Sequence, residues 1–226
     1  MDRVAFDGNV ATDGGALFVD LLGDLSISRS TLSNNVAYRN GGGLSVGAIA
    51  TAKIYETEGV NNHAVASGGM AHFAGIMSAD LGEVSAIGNT AGSVGGAFAM
   101  FDSLRTVSHI SNSSISVNNA SSKGGGLYIQ DAAVNVHGTQ LQSNAVEQGD
   151  GGAAATSGDQ AELSFSDMEC VAVEVILDWG TAGKACPAHD YYSDGRLMTC
   201  DGWAMTCGAF MATYGDDHCS GCACNK

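Results

Sequence analysis

Residues 87–101 read IGNTAGSVGGAFAMF and contain the two landmarks that decide the fold. Asn89 begins an Asn-x-Ala step, and the pair Gly95-Gly96 precedes a run of apolar residues. Both landmarks recur at intervals of about 27 residues, and self-similarity at such a period is the signature of a solenoid repeat. The sequence therefore predicts a stack of similar coils.

A pair of glycines precedes an apolar segment six times along the chain. The pairs are Gly14-Gly15, Gly42-Gly43, Gly68-Gly69, Gly95-Gly96, Gly125-Gly126 and Gly151-Gly152. Successive second glycines are 28, 26, 27, 30 and 26 residues apart, a regularity that a glycine-rich composition alone would not produce. We predict that each pair lies at a tight turn where a Cβ atom does not fit.

An asparagine recurs with the same period as the glycine pair. The six asparagines are Asn9, Asn35, Asn62, Asn89, Asn118 and Asn144. Because asparagine tolerates a left-handed φ, we expect this column to lie at a bend, with side-chain amides that hydrogen-bond along the stack. An apolar residue stands two or three positions earlier in each repeat, and we expect it to face the core. These apolar residues are Phe6, Leu32, Val60, Ile87, Ile115 and Leu141.

The segments between the landmarks alternate apolar and polar residues, as in LSIS at 25–28 and VNVHG at 134–138. This period of two is typical of strands that are buried on one face, and no segment of the repeat shows a clear helical period. About three short strands and three bends per repeat make one coil of a parallel β-helix. We therefore predict an all-β fold at residues 1–170, a right-handed single-stranded parallel β-helix of about six coils.

Stacked coils place equivalent side chains in columns that run through the core. From the glycine pairs we predict one inward column of Ala16, Leu44, Met70, Ala97, Leu127 and Ala153. A second inward column predicted from the same pairs comprises Phe18, Val46, His72, Ala99, Ile129 and Ala155. A third is predicted at Ile27, Ile54, Leu81, Ile110 and Val136. Leu17, Phe98 and Tyr128 are expected to point outward.

The composition excludes several classes of partner. The 226 residues include 24 acidic against 9 basic residues, with a formal net charge of −15, so there is no basic surface for nucleic acid. No stretch reaches the ~18–20 apolar residues of a transmembrane helix.

The N-terminus shows no apolar signal segment, yet the cysteine content is that of an oxidised extracellular module. We therefore expect a fragment of a longer secreted or cell-surface protein.

Residues 171–226 form a second predicted unit, a cysteine-rich segment that disulfides stabilise. Its cysteines are Cys186, Cys200, Cys207, Cys219, Cys222 and Cys224. Six cysteines in an extracellular module imply three disulfides, whose pairing the sequence alone does not give. The pattern Cys-x-x-Cys-x-Cys at 219–224, with His218 before it, is alternatively a zinc-binding pattern. Cys170 remains as an odd thiol, which we place in the core of the last coil.

The sequence assigns no catalytic residue. The basic residues of the predicted β-helix stand at unlike positions of the repeat, so no strand face collects two of them. They are Arg3, Arg29, Arg39, Lys53, Arg105 and Lys123. Asp20 and Asp131 each stand five positions after a second glycine. They are expected four coils apart, which at ~4.8 Å per coil is about 19 Å and too far for a pair of catalytic carboxylates.

We expect the chain to carry no cofactor or metal. Calcium held between turns is the alternative, because Asp13 and Asp150 precede their glycine pairs at the same spacing. A hard cation of this kind requires six or more oxygen ligands. His72 is expected to be a core or bend histidine rather than a catalytic one, since it stands alone. His63 and His137 are expected to be exposed turn residues.

The glycine and asparagine landmarks together resemble a known repeat. The segments GGALFV at 14–19 and GGGLYI at 124–129, each paired with a downstream apolar-x-x-Asn step, resemble the polymorphic outer-membrane-protein repeat. More broadly, they resemble the right-handed β-helix superfamily of pectate-lyase-like proteins. The family repeat usually carries Phe-x-x-Asn, where this chain has LSNN at 32–35 and LQSN at 141–144. The resemblance implies the fold, but it carries no catalytic residue onto this sequence.

The resemblance leaves several functions open. The superfamily contains polysaccharide lyases and hydrolases, adhesins, autotransporter passengers and structural surface proteins, so the fold does not select one function. Because the repeat is regular and lacks a convergent catalytic cluster, we expect a non-enzymatic secreted or cell-surface scaffold for adhesion, glycan binding or cell-wall interaction. Its expected partner is an extracellular glycan or a surface protein. A polysaccharide lyase or glycosidase is the second hypothesis, and a structural spacer of a larger surface protein is the third.

Overall fold

The computed structural model of the chain describes residues 1–20, 23–48, 51–102 and 106–166, together with the backbone of two later strands. In this part of the chain, short strands alternate with turns and no helix occurs. No helix able to cross a membrane is therefore found among the described residues. Corresponding strands of successive repeats pair in parallel, so the prediction of an all-β parallel stack of about six coils is confirmed.

Each coil contains four strands, one more than the three predicted, because the residues after the repeated asparagine form a two-residue strand of their own. We number the strands β1 to β26 along the chain, and strands of equivalent position form four sheets. Sheet 1 comprises β1 (Ala5–Asp7), β5 (Thr31–Ser33), β9 (Glu58–Val60), β13 (Ser85–Ile87), β17 (Ser114–Ser116) and β21 (Gln140–Gln142). Sheet 2 comprises β2 (Val10–Ala11), β6 (Val36–Ala37), β10 (His63–Ala64), β14 (Thr90–Ala91), β18 (Asn119–Ala120) and β22 (Ala145–Val146).

The other two sheets contain longer strands. Sheet 3 comprises β3 (Leu17–Asp20), β7 (Leu44–Gly47), β11 (Ala71–Ala74), β15 (Phe98–Phe101), β19 (Leu127–Gln130), β23 (Ala154–Ser157), β25 (Glu174–Leu177) and β26 (Arg196–Met198). Sheet 4 comprises β4 (Asp24–Ser28), β8 (Thr51–Tyr55), β12 (Ser78–Gly82), β16 (Ser108–Ser111), β20 (Ala133–His137) and β24 (Glu162–Ser166). All pairs in these sheets are parallel except β25 with β26, which is antiparallel.

The glycine pairs lie at the turn between sheets 2 and 3. Their first members have left-handed φ values between 57° and 76°, and an added Cβ would overlap a backbone carbonyl three residues later. These first members are Gly14, Gly41, Gly68, Gly95, Gly124 and Gly151. Where three glycines occur in a row, the equivalent pair is therefore Gly41-Gly42 or Gly124-Gly125, one residue earlier than predicted. The true intervals between second glycines are 27, 27, 27, 29 and 27 residues.

The core is a set of columns between the sheets. The predicted column from Ile27 to Val136 is confirmed in register on sheet 4, where it continues to Phe165. In sheet 1 the inward residue always stands three positions before the repeated asparagine. Gly59 and Ala86 therefore occupy the column, and the prediction of Val60 and Ile87 is wrong. The inward residues of sheet 1 are Phe6, Leu32, Gly59, Ala86, Ile115 and Leu141.

The columns predicted for sheet 3 mix neighbouring positions, because the prediction uses the later of the two pairs in each glycine triplet. A shift of one residue turns a strand side chain to the opposite face. One inward column comprises Leu17, Leu44, Ala71, Phe98, Leu127 and Ala154. The outward column beside it comprises Phe18, Ser45, His72, Ala99, Tyr128 and Ala155. Leu17 and Phe98 thus face inward, and Phe18 and His72 face outward, contrary to prediction.

Candidate functional site

The repeated asparagines form a continuous hydrogen-bonded ladder along the turn between sheets 1 and 2. The Nδ2 of each asparagine donates to Oδ1 of the next at 2.9–3.0 Å, and its backbone N–H donates to the same oxygen. The remaining Nδ2 hydrogen of Asn62 binds the carbonyl of Leu32 at 2.8 Å. The four inner asparagines are fully buried. Since their amides are saturated by the protein, the ladder is a structural element rather than a ligand site.

The left-handed backbone position is next to the ladder asparagine, not at it. A positive φ is found at the residue immediately before each ladder member, so the predicted left-handed φ of the ladder asparagines is wrong. These preceding residues are Gly8, Asn34, Asn61, Gly88, Val117 and Ser143. Asparagine is used in the ladder because its side chain has both a donor and an acceptor, which is the property that stacking requires.

A second ladder, built from hydroxyl groups, lies at the turn between sheets 4 and 1 and was missed from the sequence. Its members are Ser30, Thr57, Ser113 and Thr139. Each hydroxyl donates to the carbonyl two residues earlier, as Ser113 does to Ser111 at 2.7 Å. Three of them also accept an N–H from the preceding coil, for example from Val84 at 3.0 Å. In the sequence, the signal is a serine or threonine that recurs after 27 residues, from Ser30 to Thr57, and after 26 residues, from Ser113 to Thr139. Val84 occupies the equivalent position in the coil between these two pairs.

The outer surface of sheet 4 collects the most varied polar side chains of the described chain, and we refer to it as the polar face. One in-register column on it comprises Ser26, Lys53, Asp80, His109, Asn135 and Ser164. The neighbouring column comprises Ser28, Tyr55, Gly82, Ser111, His137 and Ser166. Ammonium, phenol, carboxylate and imidazole groups are thereby placed on three consecutive coils.

Tyr55 and Asp80 form the centre of the polar face. The Tyr55 hydroxyl donates a hydrogen bond to the Asp80 carboxylate. This bond, which ionisation would break, raises the pKa of Tyr55 to about 12, and partial burial and the charge of Asp80 add to the effect. The Tyr55 ring lies over Gly82, where an added Cβ would be 2.6 Å from ring atoms. The absence of a side chain at Gly82 therefore provides the space that the Tyr55 ring occupies when its hydroxyl reaches Asp80.

Lys53 and His109 flank Asp80 on the neighbouring coils. Both pair in register with Asp80, so their backbones lie ~4.8 Å on either side of it. Further along the same face, the Ser164 hydroxyl donates to Oδ1 of Asn135, and His137 Nδ1 lies 3.1 Å from the Ser166 hydroxyl. The face therefore offers a row of donors and acceptors with the periodicity of the coils.

The acids of this face are too far apart to act as a pair. Asp24 and Glu162 lie two and three coils from Asp80, which corresponds to at least ~10 Å and ~14 Å along the axis. Glycosidases require two carboxyl groups about 5–9.5 Å apart. Within the described ranges, no group of three or more histidine, cysteine or acidic side chains could hold a metal ion.

The predicted acidic positions are separated by the structure. Asp20 pairs with Gly47 on sheet 3, whereas Asp131 lies at a left-handed turn residue after that sheet, so their predicted equivalence is wrong. Asp13 accepts hydrogen bonds from the Arg39 guanidinium and forms an ion pair with it. In the four coils between Asp13 and Asp150, the equivalent position is occupied by Asn40, Ser67, Val94 and Lys123.

His72 lies on the outer side of sheet 3, under a partial aromatic cover. Its ring centroid is 5.2 Å from that of Phe101, which is 5.5 Å from Tyr128. Nδ1 of His72 is buried without a hydrogen-bond partner. Burial lowers the pKa of His72 to about 4, and the opposing charge of Asp13 does not compensate. His63 is exposed on strand β10 rather than in a turn, with Nδ1 2.7 Å from the Thr90 hydroxyl.

The predicted cysteine chemistry lies outside the described residues, which include none of the cysteines from Cys170 to Cys224. The predicted domain boundary at residue 170 also lies outside them, as does Arg105. Strand β25 pairs in parallel with β23, so sheet 3 continues beyond that boundary.

The class of protein is defined by the coil geometry: the chain is a parallel β-solenoid with an asparagine ladder. Comparison of the chain with family models, curated proteins and solved structures finds no match.

Proposed function

We propose that this chain is a non-enzymatic, carbohydrate-binding scaffold of a secreted or cell-surface protein. The observation that carries the proposal is the polar face, where Lys53, Tyr55, Asp80 and His109 are arranged on successive coils. A sugar presents hydroxyl groups that both donate and accept hydrogen bonds, together with apolar C–H surfaces. Carboxylate, imidazole and ammonium groups beside an aromatic ring complement both features.

The polar face is a better candidate than the outer side of sheet 3. Leu17 and Phe98, expected to supply an outward surface there, pack into the core instead. Tyr128 does point outward, but it is only 6% exposed, and its hydroxyl is engaged by Ser157 at 2.6 Å. Among the described strands, only those of the polar face combine polar side chains on consecutive coils with an aromatic ring in contact with a carboxylate.

Charge favours a neutral sugar over an acidic one. The chain carries a formal net charge of −15, and the polar face itself has acidic residues at Asp24, Asp80 and Glu162 against a single lysine, Lys53. A polyanionic polysaccharide would be repelled by this field. Neutral hexose polymers, whose hydroxyls can donate to Asp80, fit the electrostatics better.

A secreted or surface location is supported by the six cysteines crowded between Cys186 and Cys224. Such density in a short segment is typical of oxidising compartments and rare in reducing ones. Quantifying free thiols in the native protein, with and without a chelator, tests this part of the proposal. Six unmodified thiols in the absence of metal would argue against an oxidised module.

Carbohydrate binding is tested on a glycan array, followed by calorimetry with any neutral glycan retained. Asp80→Ala should weaken binding about tenfold or more, because one carboxylate acceptor and the Tyr55 contact are lost together. Glu58→Ala is the matched control, since Glu58 is an exposed acid on sheet 1. Equal loss in both variants, or no glycan retained by the folded wild-type protein, contradicts the proposal.

A polysaccharide lyase is the second candidate, and one specific observation favours it over a glycosidase. Asp24 and Glu162, the other acids of the polar face, lie beyond glycosidase distance from Asp80, but Lys53, Tyr55 and His109 surround it, and proton abstraction can use such groups. Incubation with uronic-acid polysaccharides, monitored by ultraviolet absorbance for an unsaturated product, distinguishes the two readings. Turnover that Asp80→Ala abolishes would replace the binding proposal with this one.

A further inference from the structure

The hydrogen-bonding groups of the polar face follow the solenoid axis rather than the strands. One column continues in register from Lys53 to Ser164, and the column beside it continues from Tyr55 to Ser166. The first of these columns spans four intervals between coils, which is about 19 Å at ~4.8 Å per coil. In the second column the position without a side chain, Gly82, is covered by the Tyr55 ring. Polar contacts are therefore available over a length of several sugar units.

The third outward position of sheet 4 is apolar in the middle of the face. On the coil of His109 this position is Val107, which is 40% exposed, and on the coil of Asn135 it is Ala133. A ligand that lay across these two strands would lose polar contacts at one side. A ligand that lay along the axis would meet a polar side chain on every coil, with apolar side chains beside it for the C–H surface of a sugar ring. The arrangement therefore favours a long ligand parallel to the axis.

Side chains in both halves of the face are held in place by hydrogen bonds between coils. In one half Tyr55 donates to Asp80, and in the other Ser164 donates to Asn135. Lys53 and Asn135 nevertheless remain exposed to solvent. Because these groups are already oriented, less conformational entropy is lost when a ligand binds. The two halves can therefore act as successive subsites for one ligand.

We propose that the polar face binds an extended, neutral, β-1,4-linked polysaccharide that lies along the solenoid axis, with successive sugars on successive coils. This ligand class rests on the carbohydrate-binding function proposed above and specifies the polymer. A hexose in such a chain advances by a distance close to the separation of two coils, so the sugars and the polar groups stay in register. A β-1,3-linked chain curves instead and leaves the face. Since contacts are made along the chain, internal sugars are recognised and no chain end is required.

Calorimetric titration of the full chain with cello-oligosaccharides of two to six sugars tests the proposal, with laminari-oligosaccharides of the same lengths as the β-1,3-linked control. The Kd should fall about tenfold or more from cellobiose to cellohexaose, because each added sugar reaches the polar groups of a further coil. Laminarihexaose should show little gain over laminaribiose, because its curvature takes the added sugars away from the face.

Asn135→Ala and Asn119→Ala form a matched pair of variants. Asn135 lies on the polar face two coils from Asp80, so its loss should raise the Kd of cellohexaose about threefold or more. The Kd of cellobiose, which has the Tyr55 ring and the Asp80 carboxylate, should not change. Asn119 lies on sheet 2, where its Nδ2 donates to Oε1 of Glu147 at 3.0 Å, and its replacement should change neither Kd. Asp80→Ala should weaken the binding of both oligosaccharides, and circular dichroism verifies that each variant is folded.

The possible results separate the axial ligand from carbohydrate binding in general. If no neutral glycan on the array is retained, carbohydrate binding itself fails, and the axial ligand fails with it. If a neutral glycan is retained but cello-oligosaccharides show no gain in affinity with length, or laminari-oligosaccharides gain equally, only the axial β-1,4-linked ligand is overturned. Equal effects of Asn135→Ala and Asn119→Ala on cellohexaose overturn it as well.

Discussion

Asn62 donates its side-chain amide to Oδ1 of Asn89 at 3.0 Å, while its backbone N–H donates to the same oxygen at 3.0 Å. Both residues are fully buried, so neither bond can be replaced by water without opening the coil. One side chain therefore satisfies two donors of the preceding coil, and repetition of this arrangement links all six coils at one turn.

Removing one inner rung of the ladder should destabilise the protein strongly. Asn89→Ala leaves one Nδ2 hydrogen and the backbone N–H of Asn62 without an acceptor, and it removes the side-chain donor of the Gly59 carbonyl, all in a buried site. At about 1–3 kcal/mol for each unsatisfied group, the loss should be at least about 3 kcal/mol. Urea unfolding monitored by circular dichroism measures it. Asn9→Ala, at the exposed end of the ladder, should lower stability by less than about 1 kcal/mol. Similar losses for both variants would contradict a ladder-specific effect.

The sequence predicts the fold because two signals agree. The column that begins at Ile27 follows from period-two alternation, and the asparagine ladder follows from a polar residue that recurs at each turn. The sequence does not decide which residues of sheet 3 face the core, because a glycine triplet allows two registers. A shift from one register to the other moves every side chain of the strand to the opposite face of the sheet. A constant interval of 27 residues would have selected the correct one, with Gly41 rather than Gly42 as the first member.

The polar face can be predicted from the sequence by examining the residues next to the inward column of sheet 4. Lys53, Asp80 and His109 each stand one residue before a member of the correctly predicted inward column on sheet 4. In a strand, that position points to the opposite face. A pattern of two basic residues on one strand face does not reveal this cluster, because its members differ in chemistry from coil to coil. The contact between Tyr55 and Asp80 depends on the missing side chain of Gly82, which no sequence period indicates.

The turn formed by each glycine pair should tolerate no side chain at its first position. A comparison of Gly95 with Gly75 separates the steric overlap from the backbone strain. Gly95 and Gly75 both have left-handed φ values, 67° and 62°. A Cβ at Gly95 would meet the Phe98 backbone carbonyl carbon at 2.8 Å, whereas nothing lies within 4 Å of one at Gly75. Gly75→Ala should therefore cost about 1–2 kcal/mol of stability from backbone strain alone. Gly95→Ala should cost at least about 3 kcal/mol, because the overlap is added to the strain. Thermal unfolding of both variants checks this, and equal melting temperatures would refute the steric explanation.

Val117 offers a stabilising substitution. It has a φ of 58°, which is unfavourable for a β-branched residue, and it is 59% exposed, so little packing depends on it. The equivalent position holds Asn34 and Asn61 in earlier coils. Val117→Asn should raise the free energy of unfolding by about 1 kcal/mol. Val65→Asn is the control, since Val65 is also exposed but has no left-handed φ. Chemical denaturation should show a gain only for Val117→Asn, and a gain at both positions would point to a general surface effect.

His72 should make the solenoid acid-sensitive. Burial lowers its pKa from 6.5 to about 4 in the folded protein, so the unfolded chain binds the proton more readily between these values. With respect to His72, the free energy of unfolding therefore has its full value above pH 6.5 and decreases as the pH falls to about 4. The difference in pKa corresponds to a loss of about 3 kcal/mol.

Replacing His72 separates this contribution from that of the acidic residues. Phenylalanine at this position keeps a ring against Phe101 and has no titrating group, so His72→Phe should unfold less steeply with acid between pH 6.5 and 4. Denaturant midpoints measured across this range give both curves. His63→Phe is the control, because His63 is exposed and its Nδ1 has the Thr90 hydroxyl as a partner. Parallel pH curves for the wild type and His72→Phe would show that the buried imidazole does not set the acid sensitivity. A curve flattened by His72→Phe but not by His63→Phe would assign the effect to the buried position itself.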